Sequence, residues 1–302
     1  MQLIARPASD AARARASLGA GILAFFAGDF DKARPLCDYA RDASKRLGDA
    51  ITHGYAIYML GTMQTLSGDV GGGHVMLDQG ASILRGAGEQ ADWYVGVTSL
   101  AQSLLSFERN DLDAAQRHAD EGMAVFRMLG QPYGIGLAFN YQGDVARRRG
   151  DQITAIARYE AALPLLRQAN AKSEIPAVLH NLAHSQLALG SAARAQALFA
   201  EGFELHREVG NRMGMAECLI GLAAVAWVHG QSQRAATLLG VVDALLASLN
   251  VPLFAGVQAV HQQTTDAVRK KLGEQTWVDA WRAGRAMTLV EAVKFVRDYG
   301  GG

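Results

Sequence analysis

Two series of short strings recur along this chain at a fixed spacing, and that spacing limits what the chain can fold into more than any other feature does. Gly28-Asp29, Gly68-Asp69, Asn110-Asp111, Gly150-Asp151, Gly190-Ser191 and Gly230-Gln231 follow one another at steps of 40, 42, 40, 40 and 40 residues. A second series runs half a period out of phase: Leu47-Gly48, Ala87-Gly88, Leu129-Gly130, Ala169-Asn170, Val209-Gly210 and Leu249-Asn250, with the same steps. A fixed period in this range marks a stacked repeat architecture. Each half-period holds one helix and a turn. Gly or Asn stands where a helix would end in a left-handed residue. The Asp or Ser that follows the first landmark is placed to cap the next helix. The segments between are rich in Ala, Leu and Arg, with apolar residues at three- and four-residue steps as in amphipathic helices. No sheet is read.

Small residues keep the same register. Seven before the first landmark stand Gly21, Gly61, Ser103, Gly143, Ala183 and Ala223; five after it stand Ala33, Gly73, Ala115, Ala155, Ala195 and Ala235. Twelve after it stand Ala40, Gly80, Gly122, Ala162 and Gly202, with Val242 breaking the series. A glycine inside a helix costs roughly 0.5–1 kcal/mol against alanine. Close helix–helix approach is the compensation that this pattern predicts. The 33 glycines against 6 prolines then belong to a repeat rather than a disordered linker.

Charge and composition exclude several function classes. Lys plus Arg equals Asp plus Glu at 29 each, so there is no basic surplus of the kind that phosphate-driven nucleic-acid binding uses. The run Arg147-Arg148-Arg149 reads as charges suited to a helix C-terminus. Cys37 and Cys218 are too few and too far apart for a disulfide framework or a zinc ligand set. The N-terminal residues Met1 to Arg6 lack the apolar run of a signal peptide, and no stretch reaches the ~18 apolar residues of a membrane span. A cytoplasmic location with no membrane contact is the expectation. The glycine-rich Gly68-Asp69-Val70-Gly71-Gly72-Gly73-His74 lacks the lysine of a phosphate-binding loop. His180 and His184, four apart, share one helical face, and Asp144 or Glu217 is available as a carboxylate. The residues between lack the glutamate of the zinc-protease motif, so no metal is assigned. No nucleophile–base–orienter set emerges, and the chain is read as not an enzyme and as using no cofactor.

The pattern of Asn181-Leu182-Ala183, Gly190, Ala195 and Phe199 resembles the tetratricopeptide repeat, here 40 residues long instead of the usual 34. The longer form is similar to the repeats of bacterial signalling ATPases of the MalT-like and LuxR-type regulator class. The stretches Ala216 to Ala226 and Arg234 to Gly240, then Leu272-Gly273-Glu274, Trp277, Ala280-Trp281, Gly284-Arg285-Ala286 and Thr288 to Val293, are similar to the end of that repeat region. The resemblance spans roughly residues 11–298. It implies an all-α, right-handed α-solenoid of about six helix pairs. Residues 1–250 would hold six ~40-residue repeats, and residues 251–302 the capping helices of the same solenoid.

Such regulators carry a nucleotide-binding module, and no Gly-x-x-x-x-Gly-Lys-Ser/Thr occurs here. The chain is read either as the sensor region of such a regulator or as a stand-alone repeat protein. In the cap, residues 254–272 form an amphipathic helix with Gln262, Gln263, Asp266, Arg269 and Lys270 toward solvent. Trp277 and Trp281 read as cap core rather than as an exposed platform. Thr288-Leu289-Val290-Glu291 is a capping box opening a last helix whose Val293 and Phe295 dock on the cap.

The resemblance also implies that the first helix of each pair lines a concave surface. Counting back 13, 10, 6, 3 and 2 residues from the first landmark gives its inward positions. Tyr55 and Tyr58 come from the second repeat, Asn140, Asp144, Arg147 and Arg148 from the fourth, His180 and His184 from the fifth, and Glu217 and Trp227 from the sixth. The expected occupant is a protein or peptide partner, or a small effector, in that groove. An ATPase module of a parent regulator is a further expected partner, and nucleic acid is not. A purely structural scaffold is the alternative reading.

Overall fold

A computed structural model describes residues 9–249 and 255–298. These form helices α1 (Asp10–Phe26), α2 (Phe30–Leu47), α3 (Ala50–Leu66), α4 (Val70–Arg85), α5 (Asp92–Glu108), α6 (Leu112–Met128), α7 (Pro132–Arg148) and α8 (Gln152–Gln168). They continue as α9 (Ile175–Ala188), α10 (Ala192–Glu208), α11 (Arg212–Val228), α12 (Ser232–Leu249), α13 (Ala255–Leu272), α14 (Glu274–Arg285) and α15 (Leu289–Arg297). No strand occurs among the described residues. None of these helices is long and apolar enough to cross a membrane. The chain is an all-α solenoid of helix pairs. It divides into two compact units, Met1–Tyr141 and Gln142–Gly302, with the boundary inside α7.

Within the first unit each helix from α1 to α6 packs on the next, and the first helices of successive pairs also touch, α1 on α3 and α3 on α5. The second unit repeats this from α8 to α12, with α9 against α11. The landmarks are the reason. Every one among the described residues has a positive φ, and the two non-glycine residues with positive φ are the landmark asparagines Asn110 (61°) and Asn170 (54°). Asn250 of the second series lies outside the described residues. The side chains of Asp29, Asp49, Asp69, Asp111, Asp151 and Asn211 each accept a backbone N–H of the following helix. Ser191, expected to do the same, makes no side-chain cap bond. The single 42-residue step also has a local cause. Its two extra residues fall between Gly88 and Asn110, where a 3₁₀ turn, Glu89–Ala91, precedes α5.

The small residues mark the crossings. Ala33, Ala115, Ala155, Ala195 and Ala235 are all fully buried, and so are Ala183 and Ala223 in the facing helices. A Cβ on Gly61 would run into the backbone of α4 at Gly73, and one on Gly73 into the backbone of α3. In the third pair Ser103 does the same job with a hydroxyl, which donates to the Ala115 carbonyl at 2.8 Å. Val242, the break in the third small-residue series, is itself fully buried, which fits its place at the last pair before the cap.

That cap is built on α11 and α12. Helix α13 packs on both, and α14 packs on α12 and α13. The predicted polar face of α13 is exposed, while Thr264 and Val268 are buried. Trp277 is buried and Trp281 half-buried, its indole Nε1 donating to Asp243 at 2.8 Å. Both belong to the packing of the cap. The Thr288–Glu291 capping box is present. In α15, however, Ala292 and Val296 take the buried positions rather than Val293 and Phe295. Phe295 is half-buried, with the Arg234 guanidinium 4.4 Å from its ring centre. Arg297 reaches from α15 to Glu204 at 2.9 Å.

Candidate functional site

The inward positions divide between the two units. In the first unit Tyr58 is 4% exposed and its hydroxyl has no hydrogen-bond partner. Asn140 is likewise buried, with its Oδ1 unpaired. Both stand ten before a landmark. Leu18, Leu100 and Ile220 at the same register are buried too. His180 stands at this register too and is half-buried, so Tyr58 and Asn140 are buried here without the register being closed throughout. Tyr55 stacks on Tyr58 with ring centres 6.2 Å apart and meets Tyr94 edge-on at 4.9 Å. It lines a cleft of about 370 Å³ with residues of α1 and the start of α5.

In the second unit the fourth and fifth repeats converge. Tyr159, on α8 and fully buried, donates its hydroxyl to Asp144 Oδ1 at 2.7 Å and accepts from Arg147 Nε at 3.3 Å. Asn181 of α9 donates to the same Asp144 oxygen at 2.9 Å. Asp144 and Arg147, three apart on α7, are therefore held in place by the second helix of their own pair and by the next first helix. Burial pushes the Tyr159 hydroxyl far up, and the neighbouring Asp144 charge adds to this, so the phenol stays neutral and remains a donor. Arg147 is half-buried, and its terminal nitrogens make no hydrogen bond among the described residues. Arg148 is exposed at the helix end.

His180 and His184 meet edge to face at 4.5 Å, and both rings pack on Phe199 of α10, at 5.7 and 5.0 Å. Burial holds the His180 imidazole well below its usual value and lowers His184 to about 4, with the Arg147 charge acting in the same direction on both. Both rings are neutral near pH 7, and His180 Nδ1 has no partner. Among the described residues no three His, Cys, Asp or Glu side chains gather as a metal site. Glu217, half-buried on α11, has its carboxyl raised by burial. Trp227 is half-buried near the end of α11. Among the described residues neither of these two makes a hydrogen bond or ion pair with the Asp144–His184 cluster. Both cysteines are buried free thiols, and burial pushes Cys37 up to about 11.

Sequence reasoning gave Tyr159, Asn181 and Phe199 no part in the site, although Asn181 and Phe199 belong to the repeat pattern. Tyr159 and Phe199 had a signal. Each stands nine after its landmark, and the register mates Cys37, Leu77, Ala119 and Leu239 are as buried as they are. Replacing Tyr159 by phenylalanine is expected to cost about 1–2 kcal/mol, because Asp144 loses a donor and Arg147 its anchor. Chemical denaturation measures the loss.

No protein-family profile matches the chain, and no curated protein matches it. Solved structures do. The apo form of RapI matches with a TM-score of 0.69 at 13% identity, over 94% of this chain and 99% of that one. BtubC from P. vanneervenii matches at 0.61 and 13% identity, over 82% and 95%. The Cut9–Hcn1 hetero-tetramer structure matches at 0.52 and 17% identity, over 90% of this chain and 42% of that one. At these identities the likeness concerns fold alone, an all-α solenoid of helix pairs.

Proposed function

We propose that this chain is a non-catalytic interaction module that recognises an acidic group through Arg147. The group belongs to a protein or peptide partner or to a small effector. One observation carries the reading: a half-buried arginine fixed at Nε by Tyr159, with its terminal nitrogens making no hydrogen bond among the described residues. A guanidinium held this way offers a preorganised fork to a carboxylate or phosphate. Asp144 is already engaged by Tyr159 and Asn181, which tempers its competition for the arginine. His180 and His184 provide neutral imidazoles beside the charge, so an arriving anion would raise their proton affinity.

The finer reading places the module as the sensor part of a cytoplasmic bacterial signalling or transcriptional ATPase regulator. Its support is the 40-residue repeat length and the resemblance of stretches within residues 216–293 to the end of such repeat regions. In that setting occupancy of the Arg147 patch would bias an output module.

A thermal-shift screen against organic diacids, sugar phosphates and nucleotides tests the patch. A bound anion at 100 times its dissociation constant is expected to stabilise the fold by about 2.7 kcal/mol. The shift should vanish in Arg147→Gln and persist in Arg148→Gln. Stabilisation by anions that survives Arg147→Gln would sink the reading.

A further inference from the structure

The cleft beside Tyr55 lies wholly in the first unit, apart from the Arg147 patch in its residues and its chemistry. Its volume of about 370 Å³ falls at the small end of the range for small-molecule sites. Its lining has two characters. Leu18, Ile22 and Ile51 supply aliphatic surface, and the Tyr55 and Tyr94 rings supply aromatic surface. Against these stands one pair of opposite charges, Arg15 Nε and Asp49 Oδ2, 2.9 Å apart. The arginine is exposed and the aspartate mostly buried.

Asp49 is held firmly. It accepts the Thr52 backbone N–H at 3.2 Å and the Thr52 hydroxyl at 2.9 Å. A carboxylate has about four acceptor positions, so one remains for a further donor. Arg15 uses only Nε in this pair. Its terminal N–H groups remain for an acceptor.

We infer that this cleft binds a free α-amino acid with an apolar or aromatic side chain, its ammonium group on Asp49, its carboxylate on Arg15 and its side chain against Ile22, Tyr55 and Tyr94. The charge pair decides the class. A simple anion would meet Asp49 and a simple cation would meet Arg15, whereas a zwitterion finds a partner for each end. The lining decides the side chain, since no further charged residue lines the cleft.

Isothermal titration calorimetry of the full chain with L-phenylalanine and L-leucine is the test. At least one should bind saturably, one molecule per chain. Phenylalanine amide and N-acetylphenylalanine, each lacking one charge, should bind at least about tenfold more weakly, the equivalent of about 1.4 kcal/mol. Asp49→Asn keeps the helix cap, because asparagine caps as well as aspartate, and should still weaken binding. Gly19 lines the cleft, and a Cβ there meets nothing within 4 Å. Gly19→Leu should therefore fold normally by circular dichroism and abolish binding by filling the cleft. Arg147→Gln should leave this binding unchanged, which separates the cleft from the proposed patch. Absence of binding by both amino acids at millimolar concentration overturns the inference. So does equal binding of the blocked analogues, or unchanged binding in Gly19→Leu.

Discussion

Replacing Phe199 by alanine is expected to remove about 4 kcal/mol of stability, within the range for truncating a fully buried aromatic side chain. Phe199 is 0% exposed. Its ring fills the space that the missing side chain of Gly221 leaves open. It also supports both imidazoles of the fifth repeat. Collapse of the site is opposed from both sides, because Gly221 belongs to the next pair and the histidines to its own. Urea denaturation measures the loss through the midpoint, provided the slope is unchanged. Phe199→Leu should recover more than half of it. A loss under about 1 kcal/mol would mean that the helices close over the gap and that the crossing is not fixed as described.

Acid is the second large perturbation. The folded state lowers His184 to about 4 from an ordinary value of 6.5, and it lowers His180 as well. Between those values the unfolded chain takes up protons that the folded chain refuses, so stability is full above about pH 6.5 and falls as the pH drops toward 4. For His184 alone the loss from about pH 7.5 to about pH 5 is about 2 kcal/mol, from roughly 1.4 kcal/mol per tenfold difference in proton affinity. His180 adds to it, and His206, lowered by its own burial, acts in the same direction. Glu217 acts in the opposite sense. Its carboxyl is raised by burial, so its ionisation weakens the fold as the pH rises through the ordinary carboxylate range. Carboxylates lowered in the folded state, such as Asp49 and Glu204, lose their contribution only nearer and below pH 4. Urea midpoints at the two pH values should therefore separate by about 2 kcal/mol or more, and the separation should shrink in His184→Gln. A flat profile, or an undiminished one in that variant, would contradict the placement of the histidines.

The contrast between fold and site explains what the sequence made legible. Turns are local. A left-handed residue needs Gly or Asn, and Asn110 and Asn170 stood in place of glycine where the repeat demanded it. Helix crossings are nearly local, since a small residue on one helix answers a small residue on the next. The inward face was harder because it depends on angle. At about 100° per residue, positions 13, 6 and 2 before the landmark fall within about 40° of one another. Position 10 lies about 60° from position 13, and Tyr58 and Asn140 there are buried while His180 is half-buried; position 3, which holds Arg147, lies about 80° away on the same side. Position 9 lies about 40° away on the other side, where Gly19 is exposed and Asn181 half-buried but Met59 and Gly221 are buried. The burial of Tyr159 was legible from its register, but its role was not. Tyr159 sits on the second helix, among core residues, and only the Asp144–Arg147 pair opposite gives its hydroxyl a role.

The central claim is that Arg147 selects an acidic partner. Binding of the full chain to an array of random peptides sorted by net charge tests it most directly, with Arg147→Gln and Arg148→Gln alongside. The account predicts that bound peptides are enriched in Asp and Glu, that Arg147→Gln loses this preference by at least about tenfold, and that Arg148→Gln keeps most of it. Binding without a charge preference, or a preference that Arg147→Gln leaves intact, would contradict it.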